Sequence, residues 1–339
     1  MQTIAKDEVA DDFRTLALQV RAAGLLGRRL GYYLAKIALT LGGFALSWLV
    51  FFALSPSWAV LGVAAFLGLA SAQLGFVGHD AGHGQVFASR QANSLLGLAI
   101  GNGLIGMSFG WWVTKHNAHH AHPNQVGRDP DVGVGPVGGS AGGRDPADRP
   151  GLAGWLDRWG VELFFPLMLL RSTGLYVSGI HDLIRRRDRR ALIEGLLITV
   201  HGAVYLTVLF WVLPPLEAVA FIIVHQAVFS VYLGCSFAPN HKGRPLIDDE
   251  SDMGFAQRQV ITARNVTGGR CTGFVLGGLN YQIEHHLFPT MPRPNLSRAQ
   301  DLVRAFCIRN DFGYSEERPV DAYRMATMLS PEPSGVGRR

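Results

Sequence analysis

IALTLGGFALSWLVFFALSPSWAVLGVAAFLGLASAQLGFVG, residues 37–78, runs its whole length without a charged side chain. A helix that crosses a bilayer needs ~20 apolar residues at a rise of ~1.5 Å each. The stretch is therefore long enough for two crossings, and Ser55-Pro56-Ser57 near its middle supplies the turn between them. Residues 191–238 repeat the arrangement: Glu194 and Glu217 are their only charges, and Pro214-Pro215 breaks them. These readings predict an all-α integral membrane fold with four transmembrane helices in two hairpins, at about 37–54, 58–78, 191–213 and 216–238. Residues 1–330 are expected to be one domain, and 331–339 a disordered tail.

The rest of the composition agrees. Of 339 residues, 48% are apolar and 17% charged, a low charged share for a water-soluble chain of this size. Cys235, Cys271 and Cys307 form no CxxC pair, which argues against a disulfide framework, a zinc ribbon or an iron–sulfur cluster and suits a reduced compartment. The opening MQTIAKDEVADDFRTL is polar and acidic, unlike a secretory signal. The placement of positive charge gives the orientation. Neither hairpin tip holds Lys or Arg, whereas Arg14, Arg21, Arg28, Arg29 and Lys36 precede the first hairpin. A run from Arg185 to Arg190 precedes the second, and Lys242, Arg244, Arg258, Arg264 and Arg270 follow it. By the positive-inside rule both termini and the central region face the cytoplasm; no nucleic-acid partner is expected. Between the hairpins, the Gly-rich apolar residues 92–113 read as dipping into the membrane or lying along it. Residues 124–153 read as loop. Residues 155–180, with Trp155, Trp159, Phe164, Phe165 and Leu169, read as an interfacial helix.

The chemistry lies in the histidines. Seven of the twelve fall into three tight clusters: His79-Asp80-Ala81-Gly82-His83, His116-Asn117-Ala118-His119-His120 and Gln282-Ile283-Glu284-His285-His286. His241 follows the fourth apolar stretch. On a helix, i and i+4 share a face, so His79 with His83 and His116 with His120 can each grip one ion, while His119 is turned toward another. All four sites lie at predicted cytoplasmic ends of spans or in cytoplasmic segments. Eight imidazoles exceed the ligand number of one metal, and two ions with about four or five ligands each would use them all. Imidazole suits Zn, Cu, Fe and Ni alike. His225, about sixteen residues or ~24 Å of helix before His241, and His201 in mid-span are expected to bond between helices. His122, followed by Pro123, is expected in support of the cluster, and His181 at the surface.

HDAGH, WWVTKHNAHH followed by NQVGRDPDV, and NYQIEHHLFP resemble the three histidine boxes of the membrane fatty-acid desaturases; FAPNHKG at 237–243 and ITARNV at 261–266 extend the likeness over about residues 30–310. A third box opening on Gln282 resembles the front-end and related acyl-lipid subgroup. The resemblance implies an enzyme with two iron ions that uses O2 and two electrons to introduce a C=C bond into an acyl chain. It implies His79, His83, His116, His119, His120, His241, His285 and His286 as iron ligands, with Gln282 a further ligand or a supporting residue. A cytochrome b5 HPGG segment is absent, since the chain reads His122-Pro123-Asn124-Gln125. Electrons should then come from a separate ferredoxin or cytochrome with its reductase.

Methylene C–H bonds yield to no side-chain acid or base, so a redox cofactor is needed, and zinc lacks the redox states. Asp80, Asp129, Asp131, Asn117, Asn280 and Glu284 are the candidates for orienting the rings. Trp111, Trp112, Phe109 and Tyr281 are candidates for lining an acyl tunnel, with an interfacial aromatic belt as the other reading. The acyl chain would be carried on CoA, acyl carrier protein or a lipid. Hydroxylation or acetylenation on the same scaffold is the nearest alternative. A membrane zinc hydrolase would need HExxH, where this chain has Asp80 after His79, and a metal carrier without catalysis is the third class.

Overall fold

The computed structural model describes residues 6–132, 163–248 and 253–327. It is largely helical. In chain order the elements are α1 (Lys6–Ala22), α2 (Leu30–Leu54), α3 (Val60–Gly82), α4 (Arg90–Leu98) continuing into a π-helical segment (Ala99–Ile105), α5 (Phe109–Ala121), α6 (Phe164–Met168), α7 (Arg171–Arg186), α8 (Arg189–Val212), α9 (Pro215–His241), α10 (Phe255–Ile261), β1 (Asn265–Val266), α11 (Arg270–Val275), α12 (Gln282–Leu287), α13 (Arg293–Arg309), β2 (Glu316–Glu317) and α14 (Pro319–Thr327). The strands form one short parallel pair, Asn265 opposite Glu316. The expected tail 331–339, Trp155, Trp159 and most of the predicted loop 124–153 lie outside the described residues.

The chain divides into two compact units. The first comprises Met1–Gly27, Lys115–Leu167 and Ser236–Arg339; the second comprises Arg28–Thr114 and Met168–Cys235. The second unit contains α2, α3, α8 and nearly all of α9, the four helices long and apolar enough to cross a membrane. Local signals set their ends. The Asp188 carboxylate accepts from the Ala191 N–H at 2.8 Å and caps α8. Pro215 opens α9 where its missing N–H costs nothing, and α2 stops before Pro56. Phe51, Val60, Val63 and Leu67 from the first hairpin bury against Leu209, Leu213 and Phe221 from the second. Gly68 of α3 permits close approach to α9, since a Cβ there would stand 2.8 Å from the His225 carbonyl oxygen.

One sequence expectation shifts. Lys36 is no flank: it lies inside α2, buried, and its ammonium donates to Gln73 Oε1. Across residues 92–113, read as dipping into the membrane or lying along it, the α4–π segment and α5 meet at 114°. Glu194 of α8 secures that bend, accepting from Ser108 Oγ (2.7 Å), the Gly110 N–H (3.0 Å) and Asn102 Nδ2 (3.3 Å). His225 bonds Tyr205 (2.8 Å) and Ser71 (3.3 Å) on other helices, and His201 donates to the Gly103 carbonyl at 3.0 Å, as expected of mid-span histidines.

The first unit has its own core. Leu16 and Val20 of α1, Val260 of α10, Ile283 of α12, and Val303 and Phe306 of α13 are fully buried together.

Candidate metal centre

Six of the eight singled-out histidines belong to the first unit, on α5, at the end of α9 and on α12. The helical repeat sorts them. His116 and His120 share a face of α5, with Nε2 atoms 3.1 Å apart. His119 turns away at 80° to His120 and meets His241, Nε2 to Nε2 at 3.4 Å. The His286 ring lies 4.7 Å from that of His241 and 5.2 Å from that of His119. One nitrogen from each of these three rings falls within 4.8 Å of the others. Metal–imidazole bonds of ~2.0–2.1 Å in tetrahedral geometry put ligand nitrogens ~3.3 Å apart, so the His119–His241 spacing matches an edge of a coordination shell. His285 diverges from His286 at 89° and lies 4.8 Å from His120.

The partners of the other ring nitrogens fix the tautomers. His119 Nδ1–H donates to Asp129 at 2.9 Å, His241 Nδ1–H to the Thr262 carbonyl at 3.0 Å, and His286 Nδ1–H to Gln259 Oε1 at 2.8 Å. The second nitrogen of each ring, Nε2, is then the one able to bind an ion; on His241 it accepts from the Gln282 amide at 3.0 Å. Burial disfavours charge on His119, but the charge and hydrogen bond of Asp129 outweigh it and hold the ring's pKa above 6.5; a metal must displace that proton on binding. The donor set suits a first-row transition ion.

In the second unit, His79 and His83 close α3. The His83 N–H bonds the His79 carbonyl at 3.1 Å, and the two rings are 4.7 Å apart. Asp80 Oδ1 is 3.2 Å from His79 Nδ1, and Trp112 packs 5.6 Å from the His79 ring with Phe109 stacked on it.

The remaining candidates divide. Asp129, in the loop after α5, is the acceptor for His119. Asp131 pairs with Lys115 and lies 4.0 Å from His119. Gln282 Nε2 is 3.0 Å from His241 Nε2, and its Oε1 accepts from Asn240 at 3.2 Å. Asn117 is exposed. Asn280 is buried, its carbonyl accepting from the Val266 N–H at 3.0 Å. Glu284 corrects an expectation: its carboxylate accepts from Asn265 Nδ2 (2.7 Å) and Tyr314 OH (2.8 Å), not from a ligand ring. Burial pushes its pKa up to about 7 against those two bonds. His122 donates to Gln125 Oε1 at 2.9 Å, away from the ligand rings, and His181 is exposed. Trp111 covers Gly179, and Tyr281 packs on the first unit's core. Gln259 and Thr262 carry no sequence signal as ring partners. ITARNV includes Thr262 but assigns it nothing, and a carbonyl acceptor leaves no side-chain signature.

With this geometry in view, the likeness to known proteins is informative. Residues 56–318 match the family model described as fatty acid desaturase. The Delta(5) fatty acid desaturase of Caenorhabditis elegans is 33% identical over 322 residues, 91% of this chain and 70% of that protein. The acyl-lipid (9-3)-desaturase of Physcomitrium patens is 30% identical, covering 91% of this chain and 60% of that protein. The Delta(8)-fatty-acid desaturase of Euglena gracilis is 31% identical, covering 93% and 77%. The matched span carries all three histidine clusters and His241 between them, and four apolar helices make the chain a membrane protein. On that likeness the chain belongs to the fatty acid desaturase family.

Proposed function

We propose that the protein removes two hydrogens from a fatty acyl chain to form a C=C bond, with O2, two electrons and two protons consumed and two waters released. The observation that carries the reading is the set of three imidazoles, His119, His241 and His286, each with Nδ1–H committed to an acceptor and with ring nitrogens close enough to share one ion. His116, His120 and His285, with His79 and His83 by ligand count and box spacing, hold the second ion. The metals are two irons, which supply the O2-dependent oxidising chemistry that unactivated C–H bonds require.

The chain's own residues do the rest. The acceptors of the Nδ1–H groups hold the rings in the ligating tautomer without spending a carboxylate as a ligand. Gln282, beside His241, is a further ligand or a hydrogen-bonding support. Trp111, Trp112 and Tyr281 border the path of an extended acyl chain and exclude water from it. The substrate rides on CoA, acyl carrier protein or a lipid. A separate ferredoxin or cytochrome with its reductase supplies electrons on the cytoplasmic side, where both termini and the active site lie, and the basic residues there suit an acidic partner.

The test is expression in a host of defined lipid profile, with double-bond mapping of new fatty acids. Wild-type protein is expected to yield a new alkene under O2, with no label from heavy O2 retained. His119→Ala and His285→Ala are expected to reach the membrane and yield none. Retained label would make the protein a hydroxylase, and activity with zinc in the absence of O2 would make it a hydrolase.

A further inference from the structure

Residues 259–265, QVITARN, contain no histidine, yet their bonds reach every ligand-bearing element of the first unit. We propose that this segment is the template that orients the metal-binding rings, with Gln259 as its principal positioning residue. The inference rests on the metal reading given above and adds the device that sets the rings.

Gln259 is fully buried on α10. Its Oε1 accepts from His286 Nδ1–H at 2.8 Å, and its Nε2 donates to the main-chain carbonyl of His120 at 2.9 Å. That carbonyl can only accept, so it fixes which end of the amide faces it. The amide oxygen then faces His286, whose Nδ1 must carry the proton, and Nε2 is the lone pair that remains. One side chain thus ties the second histidine cluster to the tautomer of the third.

The neighbouring residues act on the other ligands. The Thr262 carbonyl sets His241 in the same way, at 3.0 Å. Arg264, 1% exposed, donates to the carbonyls of Pro239 (3.0 Å) and Lys242 (3.3 Å), clasping the chain on both sides of His241. Asn265 accepts from the Ile283 N–H at 2.9 Å and donates to Glu284 at 2.7 Å, anchoring the first turn of α12. Histidine-bearing elements from three distant regions of sequence are held by one short stretch, which sets the rings of His241 and His286 directly.

Titration of the chelated, detergent-solubilised full-length protein with Co2+ tests this, because Co2+ reports imidazole ligation through its visible bands without turnover. Gln259→Met keeps the side-chain length and removes both bonds. It is expected to weaken Co2+ binding by ~10–100-fold, the usual cost of losing such a partner, and to shift the bands, with the thermal midpoint of the metal-free protein near wild type. Gln259→Glu keeps an acceptor for His286, and its charge makes that ring a stronger donor. Affinity is expected to stay within about threefold, with the bands displaced. Gln259→Met with wild-type affinity and spectrum overturns the proposal. Should that variant fail to fold, an unchanged spectrum in Gln259→Glu overturns it instead. Wild-type protein that takes up no Co2+ overturns the metal reading itself, and this inference with it.

Discussion

Asp129 and Asp131 stand two residues apart in one turn and have different work. Asp129 is buried and accepts from His119 Nδ1 and from the Asn124 N–H at 2.7 Å, whereas Asp131 is partly exposed and paired with Lys115. Asp129→Ala is expected to cost ~10–100-fold in metal affinity. Asp131→Ala is expected to cost a few-fold at most, because its carboxylate lies 4.0 Å from His119 and is paired with Lys115 instead of hydrogen-bonding the ring. Metal titration of the two purified variants checks the contrast, and equal losses would contradict it. The histidine clusters were legible in the sequence because i, i+3 and i+4 spacing is a local property of a helix. Their hydrogen-bond partners were not, because Gln259 and Thr262 reach His286 and His241 only through tertiary packing. Proximity in sequence even misled: Glu284 precedes His285, yet on α12 each residue turns ~100° from the last, which takes its carboxylate to Asn265 and Tyr314.

Among the elements, the four long helices follow directly from hydropathy, and their ends do not. A hydropathy reading halts at Lys36, while α2 begins at Leu30 because Gln73 satisfies the ammonium inside the bundle. The ambiguous stretch 92–113 could not be resolved from composition, since its bend depends on Glu194, some eighty residues further along. Glu194→Ala is expected to lower stability by about 3 kcal/mol, the scale for stranding buried partners of a removed charge, read as a fall in the thermal midpoint in detergent. Gly68→Ala tests the contact of α3 with α9. A methyl group 2.8 Å from the His225 oxygen and 3.0 Å from the Phe229 nitrogen must push backbone aside. A loss of ~1–3 kcal/mol is expected, and an unchanged midpoint would show that the two helices separate easily.

For the molecule as a whole, orientation is the open measurement. Cys271 is a natural exposed thiol on α11. On the proposed orientation, with both termini cytoplasmic, a membrane-impermeant maleimide is expected to label it in inside-out vesicles and not in intact cells. Ser57→Cys at the first hairpin tip, with Cys271 removed, should give the reverse pattern; the same sidedness for both would contradict the orientation. The interleaving of the two units was beyond sequence reading, because hydropathy reports membrane partition and not which segments fold together. It has a consequence for how the protein is made. α1 buries Leu16 and Val20 against α13, and Asn310 donates to Asp12 at 3.0 Å across 298 residues of chain. Throughout translation of the intervening residues its apolar face lacks that partner, and the nascent chain must keep the face shielded at the bilayer surface or by a chaperone until α13 has emerged.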